Sequence, residues 1–205
     1  MEALLIVDVQ NDFMLGGALG VKGGDEIIPI INVLIPKFPL IIASLDSHPE
    51  GHISFAKTHG LNVGEVIEVE GEEQILWPVH CVEGSEGAKI VRGINLEGIH
   101  SYVYKGTDRD VDSYSAFFDN QKKRATGLDA FLKEKGVTKI YLVGLATEYC
   151  VKYTACDARA LGYEVAVIID ACRPVNLHPE DEKEAVTEMR QAGVEIVHSS
   201  DFESE

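Results

Sequence analysis

The sequence predicts a doubly wound, three-layer α/β/α fold with a six-stranded, mainly parallel sheet. Short runs rich in aliphatic and β-branched residues alternate with longer segments of helical period. The short runs are continuously apolar, which is typical of parallel strands that helices cover on both faces. The six predicted strands are residues 3–8, 40–46, 102–105, 139–144, 164–170 and 194–198.

Four segments between these strands have apolar residues at helical spacing. They are residues 24–37, 125–135, 149–161 and 179–191. Gly136, Gly162 and Gly193 follow three of these segments. Glycine commonly ends a helix because it adopts the left-handed conformation without steric cost. The three glycines therefore predict helix ends.

The length of 205 residues fits one domain, which we place at residues 1–205. Residues 48–101 depart from the alternating pattern and are rich in Gly and Glu. Within them, VIEVEGEE predicts a short hairpin and WPVHCVEGSEGAKI a long loop. We interpret residues 48–101 as a loop-rich insertion within the domain. The last five residues, DFESE, predict a frayed acidic tail.

Composition and charge exclude several classes of partner. The 34 acidic and 18 basic residues give a formal charge of −16, which repels a phosphate backbone, so we expect no nucleic-acid partner. No apolar run approaches the length of a membrane-spanning helix, so we expect no membrane insertion. The first residues lack the basic start of a signal peptide and predict a strand instead. The four cysteines form no CxxC pair, which favours the reducing cytoplasm. The sequence leaves open whether the chain forms a homo-oligomer.

Polar residues stand at the ends of four predicted strands. Asp8 and Asp46 end the first two, Lys105 ends the third, and Cys150 follows the fourth at the start of a predicted helix. Ligands of open parallel sheets bind beyond the carboxyl ends of the strands. We therefore expect these four side chains to meet at one edge of the sheet.

Together these residues predict a nucleophilic thiol. A helix N-terminus and a nearby cation stabilise a thiolate, so we expect the pKa of Cys150 to be lowered. Asp8 would accept the thiol proton and pass it to a leaving amine, and Lys105 would hold both groups in place. Taken singly, each residue also fits a structural role as a cap, a solvated strand end or a core side chain.

A second group of residues predicts a site for one divalent metal ion. Asp46 and His48 are separated by one residue, so in extended backbone their side chains point to the same side. His80, in the WPVHC loop, would add a second imidazole. This ligand set suits Zn²⁺, with Fe²⁺ or Mn²⁺ as alternatives. His52 is either a fourth ligand or an ordinary loop histidine.

Several separate motifs, in order along nearly the whole chain, match a known family. They are LLIVDVQNDF with GGALGV, SLDSHPEGHISFA, WPVHCV, YKGTDRDVDSYSAF, GLATEYCVKYTACDARALGYEV and IIDACRP. The chain resembles the isochorismatase-like cysteine hydrolases and, within them, the nicotinamidases, also called pyrazinamidases. The resemblance implies hydrolysis of nicotinamide to nicotinate and ammonia through a cysteine thioester, a step of NAD salvage.

The resemblance also implies roles for individual residues. Asp8, Lys105 and Cys150 would form the catalytic triad. A cis peptide between Leu145 and Ala146 would turn the Ala146 N–H inward, where it would form an oxyanion hole with the Cys150 N–H.

The implied substrate pocket lies between the triad and the metal. Phe13 and Trp77 would flank the substrate ring, and Tyr114 would occupy a further pocket position. The metal held by Asp46, His48 and His80 would orient the ring through the pyridine nitrogen, directly or through a water molecule.

Three alternative functions predict a different set of residues. A related amidase acting on carbamoyl or ureido substrates would usually lack the DxH and WPxHC metal ligands. A vinyl-ether hydrolase of the isochorismatase type would lack the cysteine nucleophile. A non-catalytic binding protein with this fold would be expected to have a broken triad. The sequence does not distinguish nicotinamide from pyrazinamide or other ring amides, and it assigns no task to Cys81, Cys156 or Cys172.

Overall fold

The computed structural model describes residues 1–202, and its strands and helices follow the predicted alternation. The strands are β1 (Glu2–Val7), β2 (Ile41–Asp46), β3 (Val66–Val69), β4 (Glu72–Ile75), β5 (Ser101–Lys105), β6 (Lys139–Leu145), β7 (Glu164–Arg173) and β8 (Glu195–Val197). The α-helices are α1 (Ile27–Leu34), α2 (Ala56–His59), α3 (Leu128–Glu134), α4 (Lys152–Ala160) and α5 (Asp181–Gln191).

The central sheet contains the six predicted strands in the order β5-β2-β1-β6-β7-β8. Every neighbouring pair in this sheet is parallel. The prediction of a six-stranded, mainly parallel sheet is therefore confirmed. Because β5, β2, β1 and β6 are consecutive, their carboxyl ends lie side by side.

Helices cover both faces of this sheet. Alternate side chains of a strand point to opposite faces, and Leu4 and Ile6 of β1 pack on the side of α1. Leu5 and Val7 pack on the other side, with residues of α3, α4 and α5. This arrangement confirms the three-layer α/β/α fold.

The predicted helices are present, with shorter α-helical cores. Residues 24–37 form α1 with a 3₁₀ turn before it and another after it. The segment predicted at residues 125–135 becomes helical only at Leu128, the first residue of α3. Gly136, Gly162 and Gly193 have φ angles of 69°, 97° and 84°, as expected of residues that end helices in the left-handed conformation.

Residues 48–101 contain the predicted hairpin and a long loop. The hairpin is the antiparallel pair β3–β4. The loop at residues 77–90 returns to the carboxyl edge of the sheet, where Val82 bridges to His48 and Ile90 bridges to Gln10. The loop thereby brings His80 to the strand ends.

The predicted acidic tail is wrong for its first two residues. Asp201 and Phe202 end the 3₁₀ helix Ser199–Phe202. The Phe202 ring packs against Phe38 and Tyr141, with centroid distances of 5.4 and 5.2 Å, because this apolar side chain completes a small aromatic cluster. Residues 203–205 lie outside the described residues. Within residues 1–202, no helix combines the length and apolar character needed to cross a membrane.

Candidate active site

The four polar residues predicted at the strand ends meet around one buried ammonium group. Lys105 Nζ lies 2.9 Å from Asp8 Oδ2, 2.5 Å from Asp46 Oδ1 and 3.3 Å from Cys150 Sγ. All four side chains are buried. One cation thus contacts two carboxylates and a thiol, and the expected convergence of the strand ends is present.

The backbone around β1 and β6 accounts for this close approach. Asp8 leaves β1 with a φ of 49°, and its Oδ1 accepts a hydrogen bond of 2.7 Å from Ser44 Oγ. Gly144, on the neighbouring strand, has a φ of 121°, and a Cβ there would collide with the backbone of Val7. A glycine at this position therefore lets β6 deliver Cys150 beside Asp8.

Cys150 lies in a π-helical turn, Thr147–Val151, that precedes α4. The carbonyl of Ala146 accepts hydrogen bonds from the N–H groups of Tyr149 and Val151, at 3.1 and 3.2 Å. The peptide bond between Leu145 and Ala146 is cis, as the resemblance implied. Ala146 and Cys150 both border the cavity described below.

The expectation of a lowered thiol pKa is not met. Burial raises the pKa of Cys150 well above its ordinary value; Lys105 opposes this effect, and the Asp8 carboxylate adds to it. Burial also raises the pKa of Asp8, against the effect of Lys105. Burial lowers the pKa of the Lys105 ammonium, but Asp46 and Asp8 outweigh this effect, so the net pKa is raised. The structure therefore favours a protonated thiol beside a base over a free thiolate.

Asp46, His48 and His80 form a compact group of potential metal ligands. Asp46 Oδ2 lies 3.5 Å from His48 Nε2 and 3.8 Å from His80 Nε2. The other ring nitrogens contact backbone carbonyls: His48 Nδ1 lies 2.8 Å from Gly106 O, and His80 Nδ1 lies 2.7 Å from Pro78 O.

These carbonyl contacts fit a metal centre. A carbonyl can only accept, so each Nδ1 carries a proton, and in the neutral ring the Nε2 lone pair is left on the side of the Asp46 carboxylate. Burial lowers the pKa of His48 and the Asp46 carboxylate raises it, and the net pKa is raised. The negative charge of Asp46 thus favours a cation at this position. Burial and the neighbouring His48 lower the pKa of His80, which favours the neutral, metal-binding imidazole.

His52 stacks on His48, with a centroid distance of 4.1 Å, but its ring nitrogens are engaged elsewhere. Nδ1 lies 2.7 Å from Ser54 Oγ, and Nε2 lies 3.3 Å from Val111 O. Burial and His48 lower the pKa of His52 to about 4. These contacts favour the interpretation of His52 as a buried histidine that supports the ligand group.

A cavity with about 430 Å³ of empty space joins the thiol to this group of ligands. Its lining includes Cys150, His80 and the three predicted pocket residues Phe13, Trp77 and Tyr114. Trp77 Nε1 donates a hydrogen bond of 3.1 Å to Tyr114 Oη. The aromatic lining suits a flat ring.

Comparison with known proteins identifies the family. The model of a family described as "Isochorismatase domain" matches residues 2–201. The chain belongs to the isochorismatase domain family.

Several isochorismatase-family proteins are similar over nearly their whole length. An Escherichia coli protein named nicotinamidase is 44% identical, and the match covers 98% of this chain and 97% of that protein. A nicotinamidase/pyrazinamidase structure from Acinetobacter baumanii has a TM-score of 0.96 at 40% identity, with 98% of each chain covered. The pyrazinamidase of Pyrococcus horikoshii in complex with zinc has a TM-score of 0.79 at 40% identity, covering 96% of this chain and 98% of the other.

Two buried polar residues of this isochorismatase-family site were missed by the sequence analysis. Gln10 Nε2 donates to the carbonyls of Asp46 and Ala88, and Gln10 Oε1 accepts from Asp46 N–H, so Gln10 fixes the end of β2. Asp112 lines the cavity and accepts hydrogen bonds from Ser113 N and Gln74 Nε2. The sequence signal for Gln10 was its position two residues after Asp8. Nothing local separates Asp112 from the other aspartates nearby.

All four cysteines are free thiols. Cys81 has a φ of 46°; its N–H donates to Asp12 Oδ2 at 2.7 Å, and its carbonyl accepts from His48 N–H at 2.9 Å. The backbone of Cys81 therefore helps to place His48. Cys172 is buried in the core, and Cys156 lies half-buried on α4.

Proposed function

We propose that this chain is a nicotinamidase that hydrolyses nicotinamide to nicotinate and ammonia through a thioester on Cys150. The observation that carries the proposal is the contact of a single buried ammonium, Lys105, with both Asp8 and Cys150. Cys150 lines a cavity with aromatic walls that suit a flat ring, and His80 lines the same cavity. The similarity to proteins named nicotinamidase supports this substrate.

The first half-reaction forms the thioester. Asp8 accepts the thiol proton as Cys150 Sγ bonds to the carboxamide carbon, because a protonated, buried thiol needs an adjacent base to become a nucleophile. The N–H groups of Ala146 and Cys150 would stabilise the oxyanion of the tetrahedral intermediate. Asp8 then gives its proton to the amide nitrogen, the C–N bond breaks, and ammonia leaves.

The second half-reaction reverses the roles. Asp8 takes a proton from a water molecule while the water oxygen bonds to the acyl carbon, and the C–S bond breaks. Cys150 recovers its proton and nicotinate leaves. Throughout, Lys105 holds Asp8 and Cys150 together and compensates the charge that moves between them.

We further propose that Asp46, His48 and His80 hold one divalent metal ion, with zinc as the first choice. When bound, the metal supplies a Lewis-acidic position for the ring nitrogen of the substrate. Phe13 and Trp77 would then flank the ring, and Tyr114 would line the pocket beside Trp77. The zinc complex of the pyrazinamidase relative and the orientation of both Nε2 atoms support this assignment.

We also propose that residues 1–205 form one domain, in which the insertion at residues 48–101 supplies two of the three metal ligands, His48 and His80. The four free thiols support a reducing compartment, and we propose the cytoplasm.

Ammonia release from nicotinamide by the purified, zinc-loaded chain tests the function directly. We expect stoichiometric nicotinate and ammonia. Carbamoyl and ureido compounds are tested as alternative substrates in separate, parallel reactions. Turnover of these compounds without turnover of nicotinamide would overturn the nicotinamidase assignment and favour the related-amidase alternative.

Replacing His80 with alanine should abolish stoichiometric zinc binding, because one of only two imidazoles in the ligand group is lost. Replacing His52 with asparagine should leave the bound zinc at one ion per chain, because both His52 ring nitrogens already contact protein oxygens. Metal content of the purified variants, measured by elemental analysis after dialysis, checks both results. Loss of zinc from the His52 variant alone would contradict the assignment.

A further inference from the structure

Glu148 lies two residues before Cys150 and links the π-helical turn to a distant segment of chain. Its carboxylate is buried. Oε2 accepts a hydrogen bond of 3.2 Å from Val175 N–H, and Oε1 accepts one of 2.6 Å from Asn176 N–H. The turn that carries the thiol is therefore fastened directly to the segment that follows β7.

The segment held by Glu148 contributes to the cavity. Val175 lines the cavity together with Cys150. Asn176 follows with a φ of 51°, and its Oδ1 accepts a hydrogen bond of 3.1 Å from Glu182 N–H. Before Val175, Arg173 pairs with Glu26 at 3.0 Å. Contacts of Arg173 and Asn176 thus hold the segment on both sides of Val175, and the buried Glu148 carboxylate holds Val175 itself through a hydrogen bond.

A buried carboxylate costs more desolvation free energy than a neutral side chain would in a purely structural contact. Within residues 1–202, Glu148 makes no ion pair, and its carboxylate oxygens accept hydrogen bonds from the backbone N–H groups of Val175 and Asn176. Hydrogen bonds to a carboxylate are about twice as strong as those between neutral groups. The geometry therefore gives a charge-assisted attachment between the nucleophile's turn and one wall of the cavity.

We propose that Glu148 is a positioning residue that holds Val175 against the substrate ring and thereby sets the affinity for substrate. The proposal rests on the proposed function for the identity of the substrate. Glu148 does not border the cavity, so its effect passes through Val175.

Steady-state kinetics with nicotinamide test this role. We expect Glu148→Ala to raise KM about tenfold, the factor for losing one packed apolar contact, with kcat changed less than about twofold. Glu148→Gln keeps one acceptor oxygen and should give an intermediate KM. Val175→Ala should raise KM by a similar factor, and the double variant Glu148→Ala/Val175→Ala should add little to it. Glu184→Ala, which removes an exposed carboxylate from α5, is the matched control and should behave as wild type.

Backbone hydrogen exchange tests the same role without any substrate. The backbone N–H groups of residues 175–178 should exchange faster in Glu148→Ala and Glu148→Gln than in wild type and Glu184→Ala. If wild type does not hydrolyse nicotinamide, the proposed function fails while the exchange result still decides the role of Glu148. Unchanged exchange, or a fall in kcat at constant KM, would overturn the proposal. If Glu148→Ala does not fold, Glu148→Gln carries both measurements.

Discussion

Replacing Cys150 with alanine will lower kcat for ammonia release from nicotinamide by a factor of about 10⁴ or more. No other thiol borders the cavity within the described residues, so no neighbouring group can replace the lost nucleophile. The variant retains the aromatic lining and the metal group, so it should still bind substrate. Initial-rate measurements of ammonia, together with calorimetric binding of nicotinamide, separate these two effects.

Cys156→Ala provides the matched control for this variant. Cys156 lies half-buried on α4 and away from the cavity lining, so its loss should change kcat less than about twofold. Substantial turnover by Cys150→Ala in protein free of wild-type contamination would exclude the thioester mechanism. The hydrolysis would then have to proceed by direct attack of water.

Replacing Lys105 with methionine will reduce both stability and activity. The change leaves the buried carboxylates of Asp8 and Asp46 without their shared cation. Breaking a buried ion pair by removing one partner costs about 3–5 kcal/mol of unfolding free energy. For a protein of this size that corresponds to a fall in Tm of about 6–20 °C. Thermal unfolding followed by circular dichroism checks the prediction.

The stability loss of the Lys105 variant should depend on pH in a defined direction. Burial raises the pKa of Asp8, and Lys105 opposes that effect, so removal of Lys105 raises the pKa further. A carboxyl with a raised folded-state pKa favours the folded state at low pH and loses this contribution as pH rises through that pKa. The Tm difference from wild type should therefore be smaller at mildly acidic pH than at alkaline pH.

Lys133→Met is the control for this experiment, because it removes an exposed lysine that pairs with Asp129 on the surface of α3. Exposed pairs contribute about 0–1 kcal/mol, so its Tm should stay close to that of wild type. An unchanged Tm for Lys105→Met, or a loss no larger than that of Lys133→Met, would be inconsistent with the central role of the buried ammonium.

The sequence predicted the meeting of Asp8, Asp46 and Lys105 because each ends, or directly follows, a strand of a parallel sheet. Such a sheet aligns all its carboxyl ends, so a local pattern was sufficient. The strand order was not part of the prediction. Because β5, β2, β1 and β6 are neighbours in the sheet, the side chains that follow or end these strands are close enough to contact one ammonium.

Features that depend on distant parts of the chain were not predictable in the same way. The pKa of Cys150 was expected to fall because Lys105 and a helix N-terminus are near it in the pattern. The structure adds burial and the Asp8 carboxylate, which reverse the direction of the shift in pKa. The contact of Glu148 with Val175 likewise joins two segments that no local pattern relates.

Trapping of the acyl intermediate with hydroxylamine tests the central claim most directly. With nicotinamide as substrate, a thioester on Cys150 partitions between water and hydroxylamine, so nicotinohydroxamate should replace nicotinate in proportion to the hydroxylamine added. Acid-quenched samples should carry one nicotinoyl group on the peptide that contains Cys150. Ammonia release that yields only nicotinate at every hydroxylamine concentration, with Cys150 unmodified, would contradict the thioester mechanism.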